Sequence, residues 1–213
     1  MEIKYTKKDF WLAILAGEIV VWLSLPTLKN IKILELLVKW GIGLKLFVVF
    51  WAFFVPAGAL LGLYLFYLAA KRKNQIGFLQ MGKYGVIGVL NTFLNAGIYN
   101  FLIFITNIAL GFTVDLFFVV AFVITVTNSF FWNRYWTFEK TGTETVGKDA
   151  FQFFFVSTVV AVINIGILHT IVNIIGAPAN IDLKIWANIA LFFTIITAFF
   201  GNFFGYKFLV FKK

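Results

Sequence analysis

The sequence predicts an all-α polytopic membrane protein with about six transmembrane helices, and three observations lead to that expectation. Hydrophobic residues are 62% of the 213 positions, charged residues only 13%, and mean hydropathy is +0.94. A soluble domain carries roughly 45–50% apolar and about 25% charged residues, because its surface must face water. The apolar residues also fall in runs of the length that crosses a hydrocarbon core, ~20 residues. Finally, the 18 lysines and arginines behind the net charge of +9 sit between those runs or close to their ends. In a soluble chain that charge would suggest nucleic acid. Here it follows the positive-inside rule, so no nucleic-acid partner is expected.

The first run, Phe10–Leu28, follows Lys4, Lys7 and Lys8 and so has the outline of a signal peptide. Pro26-Thr27-Leu28-Lys29 offers no small-residue cleavage site, which predicts an uncleaved first span. In Ile31–Trp40, Lys32, Glu35 and Lys39 are spaced as on one helix face, which suits a short interfacial helix or an ordinary loop. The second run, Leu44–Ala70, contains Pro56, expected to kink it. The remaining runs are Tyr84–Ala109, Leu116–Phe138, Phe151–Ile175 and Ile185–Phe211, with Glu139–Asp149 read as a solvated connection. Residues 1–76 are thus an N-terminal extension with two predicted transmembrane helices, and 77–213 a four-helix domain.

Orientation follows from counting cations. With a cytoplasmic N-terminus, inside segments carry Lys4, Lys7, Lys8, Lys71, Arg72, Lys73, Lys83, Arg134, Lys140, Lys148, Lys207, Lys212 and Lys213. Outside segments carry only Lys29, Lys32, Lys39, Lys45 and Lys184. The excess predicts a multi-pass protein of the cytoplasmic membrane with both termini inside.

The last four runs contain a repeat. A gapless shift of 73 residues brings Asn91, Asn100 and Asn107 onto Asn164, Asn173 and Asn180, and Arg134 onto Lys207. Phe130 and Phe131 fall on Phe203 and Phe204, Phe138 on Phe211, and Lys140 on Lys213. Each unit has two helices, an even number, so both units enter from the same side. That predicts two parallel two-helix repeats, related by an axis along the membrane normal. Thr125, Asn128, Ser129, Trp132 and Asn133 form one helix face in the first unit, and Gly166, His169, Thr170 and Asn173 one face in the second.

Catalysis is not expected. With no cysteine there is no thiolate chemistry and no disulfide, and one histidine, His169, cannot build a metal site. Neither paired carboxylates nor a nucleophile–base set lies in the runs, and no Gly-rich GKS or GKT phosphate loop is present. No cofactor is therefore expected. Glu18, alone in the first run, is a functional candidate by its cost there, or a partner for a lysine of another span.

Three segments carry a family resemblance: Phe78–Gly88 (FLQMGKYGVIG), Phe130–Phe138 (FFWNRYWTF) and Asn202–Phe211 (NFFGYKFLVF). On these the chain resembles the GtrA family of small membrane proteins associated with polyprenyl-phosphate-linked sugars. The resemblance covers about 78–213 and leaves residues 1–76 outside. It departs from the pattern at Lys207, where an arginine is expected, and at Gly205 and Leu209, which replace aromatics.

The resemblance implies flipping of a polyprenyl-phosphate-linked monosaccharide from the cytoplasmic to the outer leaflet for cell-surface glycan or polysaccharide synthesis. The alternative is a non-transporting anchor that recruits or dimerises a membrane glycosyltransferase. Flipping needs cations for the phosphate, and Arg134 is the first candidate, followed by Lys207, Lys83 and Lys140. Placed among Trp132, Tyr135 and Trp136, Arg134 also fits an interfacial anchor in an aromatic belt. The sugar needs hydrogen-bonding partners, because each bare hydroxyl costs roughly 2–7 kcal/mol in hydrocarbon. Asn91, Asn128, Asn133, Asn164, Asn202 and His169 are the candidates, with interhelical bonding as their alternative role. Four helices enclose little space, so a homodimer is expected.

Overall fold

The computed structural model describes residues 3–140, 142, 144 and 146–205, with side chains to 198. All regular structure among the described residues is helical, without a strand, in the order α1 (Lys7–Asn30), α2 (Ile33–Lys39), α3 (Leu44–Lys73), α4 (Ile76–Thr106), α5 (Phe112–Trp132), α6 (Val146–His169) and α7 (Leu183–Gly205). Two π-helical turns, Asn133–Thr137 and Thr170–Ile175, extend α5 and α6. Five helices are long and apolar enough to cross a membrane, and Leu183–Ala198 of α7 is a shorter apolar stretch. Phe112 and Phe151 are each 71% exposed, which water would not tolerate along whole helices but lipid does. This is a multi-pass membrane protein.

Expected and observed boundaries differ most at two places, the start of α4 and the connection before α6. The third run begins as a helix at Ile76, directly after the left-handed Asn74 that caps the end of α3, because Gly77 and Lys83 do not interrupt its backbone. Ile31–Trp40 does hold a short helix, α2. The connection 139–149 is shorter than expected, since α6 starts at Val146.

The chain forms two compact units, Met1–Leu94 with Thr127–Thr141, and Asn95–Val126 with Gly142–Lys213. In the first, α1 packs along α3. Thr6 and Asp9 start α1 with a capping box, each side chain serving the other's backbone N–H at 3.0–3.1 Å. Trp51 Nε1 donates to Ser24 Oγ at 2.9 Å across the pair. The closest approach is at Gly17, where an added Cβ would stand 2.5 Å from Pro56 Cα. Backbone cannot yield there as a flexible side chain would. Gly17→Val is expected to cost about 1–3 kcal/mol by overpacking, read as a lowered unfolding temperature in detergent, while Gly58→Ala, which meets open space, leaves it unchanged.

The second unit is built on the repeat. Its core holds Tyr99, Val114 and Phe118 together with Val172, Ala187 and Leu191, which are their equivalents under the 73-residue shift. Shifting α5 by the same amount lands it inside α7, ending on the same last residue. Two polar contacts obey the same operation. Asn100 on α4 and Asn188 on α7 exchange hydrogen bonds of 2.8 and 2.7 Å. Their equivalents, Asn173 after α6 and Asp115 on α5, meet at 3.3–3.4 Å. A contact between i and j matched by one between i′ and j′ is what a pseudo-two-fold axis requires.

Candidate functional site

The buried charges of the first unit gather on the turn after α5. Extending α5 by a π turn closes an i to i−5 bond, Phe138 N–H to Asn133 O at 2.9 Å, and turns Arg134 and Trp136 inward. Such π turns are often found at functional sites. Lys83, in the second turn of α4, is 3% exposed and reaches this turn. Its Nζ lies 2.8 Å from Asp9 Oδ1, 2.9 Å from Glu139 Oε1 and 3.4 Å from the Trp136 carbonyl. Trp136 Nε1 donates to the same Asp9 oxygen at 2.8 Å. Asp9 is as deeply buried as Lys83, whereas the Glu139 side chain is 67% exposed. Arg134 is buried in the same turn at 4% exposure. Lys140, from the same candidate set, lies on the surface, and its N–H donates to the Arg134 carbonyl at 3.0 Å.

The amides have specific fates. Asn128 Nδ2 donates to Asn91 Oδ1 at 2.9 Å, joining α5 to α4. Asn133 is used within its own turn, donating to the Ser129 carbonyl and accepting from Thr137 Oγ1. Asn164, the repeat equivalent of Asn91, is 4% exposed and its Oδ1 has no hydrogen-bond partner among the described residues. The sequence explains that gap, because the position equivalent to Asn128 is Gly201. Lys207 lies outside the described residues, as does the Asn202 side chain. The structure thus brings Lys83 and Arg134 to one turn and pairs Asn91 with Asn128.

In the second unit, His169 Nδ1 lies 2.7 Å from Asp115 Oδ2, with Asn173 Nδ2 bridging toward both. The face expected to point inward does not do so uniformly. Gly166, His169 and Thr170 are exposed, since α6 buries Val160, Ala161, Asn164 and Leu168. Glu18 is half-buried on α1 and makes no ion pair among the described residues.

Three of these residues escape a sequence reading that looks only for cations and amides in the last four runs. Asp9 is signalled by the Thr6-x-x-Asp9 capping spacing just before an apolar run. Asp115 is signalled by the repeat, which places it opposite Asn188. Glu139, in a polar connection, carries no signal of its own.

Comparison with family models matches residues 83–211 to the GtrA/DPMS transmembrane domain. The chain belongs to the GtrA/DPMS transmembrane-domain family. Comparison with curated proteins and with solved structures gave no match. The GtrA/DPMS match begins at Lys83, so the cation falls inside the family domain and its partner Asp9 outside it. The family points to membrane proteins concerned with polyprenyl-phosphate sugars.

Proposed function

We propose that this protein moves a polyprenyl-phosphate-linked monosaccharide from the cytoplasmic to the outer leaflet of the cell membrane, with both termini cytoplasmic and residues 77–213 as the working domain. The observation that carries the reading is the burial of Lys83 and Arg134 at one turn in a chain of the GtrA/DPMS family. Charges this deep in an apolar helical protein are costly and mark function by default. Arg134 presents a planar fork suited to a phosphate. Glu139 is the exposed member of the Lys83 cluster, so an arriving phosphate can take its place without disturbing the buried Asp9 pair. By sequence Lys207 is the repeat equivalent of Arg134, and with Lys140 it completes the set of candidate phosphate cations.

The sugar is served by Asn164, whose Oδ1 has no hydrogen-bond partner among the described residues, together with Asn91, Asn128, Asn133, Asn202 and His169 as the other polar candidates of the last four runs. Transport is downhill, drawn by consumption of the sugar on the far side, and a homodimer encloses the route. The protein performs no covalent chemistry.

A second reading is favoured by a specific observation. Asn91 with Asn128, and Asn100 with Asn188, spend their amides on each other, as expected of a rigid scaffold that recruits or dimerises a glycosyltransferase. The readings share one test of the site. Purified protein should retain polyprenyl-phosphate glucose through detergent exchange, read by native mass spectrometry, and release the uncharged polyprenol. Equal retention of both lipids removes the phosphate site.

A further inference from the structure

The pseudo-two-fold axis of the second unit supplies an internal control for one polar cluster. At one position of the pair stand Asn100, Ala96, Asn188 and Val172. At the other stand their equivalents, Asn173, His169, Asp115 and Tyr99. The first set, which contains no ionisable side chain, joins two helices by a reciprocal amide pair, each Nδ2 also donating to a carbonyl of its own helix. Holding helices in this geometry therefore needs no charge. The second set nevertheless replaces an amide by a carboxylate, an alanine by the chain's one histidine, and a valine by a tyrosine. Three departures in one place exceed what packing asks.

The cluster also has unused bonding capacity. Asp115 is 4% exposed, and its Oδ1 has only the long 3.4 Å contact to Asn173. A carboxylate oxygen can accept more than that. His169 Nδ1 sits 2.7 Å from the carboxylate, and in the neutral tautomer that places the proton on Nδ1, Nε2 is left as an acceptor. Its side chain is 47% exposed, which leaves that nitrogen accessible. Asn173 is fixed from the other side, its Oδ1 accepting the Gly111 N–H at 2.7 Å. Tyr99 is fully buried, and its hydroxyl has no hydrogen-bond partner among the described residues. Its ring belongs to the same core as Val114, Leu168 and Val172, the chain neighbours of Asp115, His169 and Asn173, and the Asp115 charge acts on it. A buried hydroxyl without a partner is a cost that a ligand can relieve.

We infer that Asp115, His169, Asn173 and Tyr99 form a binding site for vicinal hydroxyls, the chemistry of a monosaccharide. Each hydroxyl both donates and accepts. Asp115 Oδ1 and His169 Nε2 take the donated protons, and the Tyr99 O–H supplies a donor in return. The choice of a sugar among polyols rests on the proposed function. On the proposed orientation the site lies toward the outer leaflet, where a headgroup arrives after crossing.

The single histidine makes the test clean, because ¹⁵N-histidine labelling reports one imidazole. Full-length protein in lipid nanodiscs is titrated with free glucose, with polyprenyl-phosphate glucose and with unglycosylated polyprenyl phosphate. A saturable shift of the Nε2 resonance is expected with the glycosylated lipid and absent with the bare phosphate lipid. A shift with free glucose as well shows that the saccharide alone suffices; its absence shows that the site reads sugars presented from the membrane. Asp115→Asn recreates the amide pair of the other half, so it should keep the unfolding temperature and weaken sugar binding at least tenfold. Tyr99→Phe should weaken binding while leaving stability equal or higher. No shift with either sugar, an equal shift with the bare lipid, or unchanged binding in both variants overturns the site. If the imidazole stays silent while lipid still crosses, only this inference fails. If it responds to sugar but no lipid crosses, the site stands and the transport reading falls.

Discussion

Asp9→Ala should lower the stability of the protein by about 3–5 kcal/mol, the cost of leaving a buried charge without its partner. Lys83 is 3% exposed and cannot recover the loss by turning to water. Glu139 remains beside it but is two-thirds exposed and on a connecting segment, so it compensates only in part. Trp136 Nε1 and the Thr6 backbone N–H lose their acceptor in the same substitution. Lys83→Ala should cost less, because the Asp9 carboxylate keeps its bonds to Thr6 and Trp136. The double variant Asp9→Leu with Lys83→Met should regain most of the stability, since a well-packed apolar pair often equals a buried ion pair. Thermal unfolding in detergent of the two singles and the double checks the ordering. Additive losses in the double would show that the two residues act separately.

Arg134→Ala should weaken retention of polyprenyl-phosphate glucose by roughly 10- to 100-fold, on the scale of one charge-assisted hydrogen-bonded contact of about 1.5–3 kcal/mol. Arg134→Lys keeps the charge but loses the two-pronged geometry, so it should fall between wild type and alanine. Because the side chain is 4% exposed, some loss of packing accompanies the truncation, and Arg134→Met separates that part. Binding lost in methionine and alanine alike, but kept in part by lysine, identifies charge as the cause. Unchanged binding in all three returns Arg134 to the role of an interfacial anchor.

Much of this protein can be read from its sequence, for physical reasons that differ by region. The helices are legible because lipid imposes length and apolarity on each one separately. The parallel repeat is legible because duplication preserves register, and Asn100 and Asn173 mark it through a background of interchangeable Phe, Leu and Val. The start of α4 is not legible, because Gly77 and Lys83 interrupt hydropathy without interrupting backbone hydrogen bonding. The partners of the cations are harder still. Lys83 and Asp9 are far apart in the chain, and no local spacing announces that a capping carboxylate will neutralise a lysine of another helix. The amides illustrate the opposite limit. Asn91 and Asn164 look equivalent in the sequence, yet one is bonded to Asn128 and the other has an Oδ1 without a partner among the described residues, glycine standing at the position equivalent to Asn128.

Translocation itself can be measured in vesicles loaded symmetrically with a fluorescent polyprenyl-phosphate sugar, by bleaching the outer leaflet with a membrane-impermeant reductant. With reconstituted protein, signal should fall well below half as inner-leaflet lipid is drawn out, whereas empty vesicles and Arg134→Ala vesicles hold at the outer-leaflet loss. Wild-type vesicles that also stop at half, while still binding the lipid, would contradict transport and leave the chain as an anchor for the enzyme that uses it.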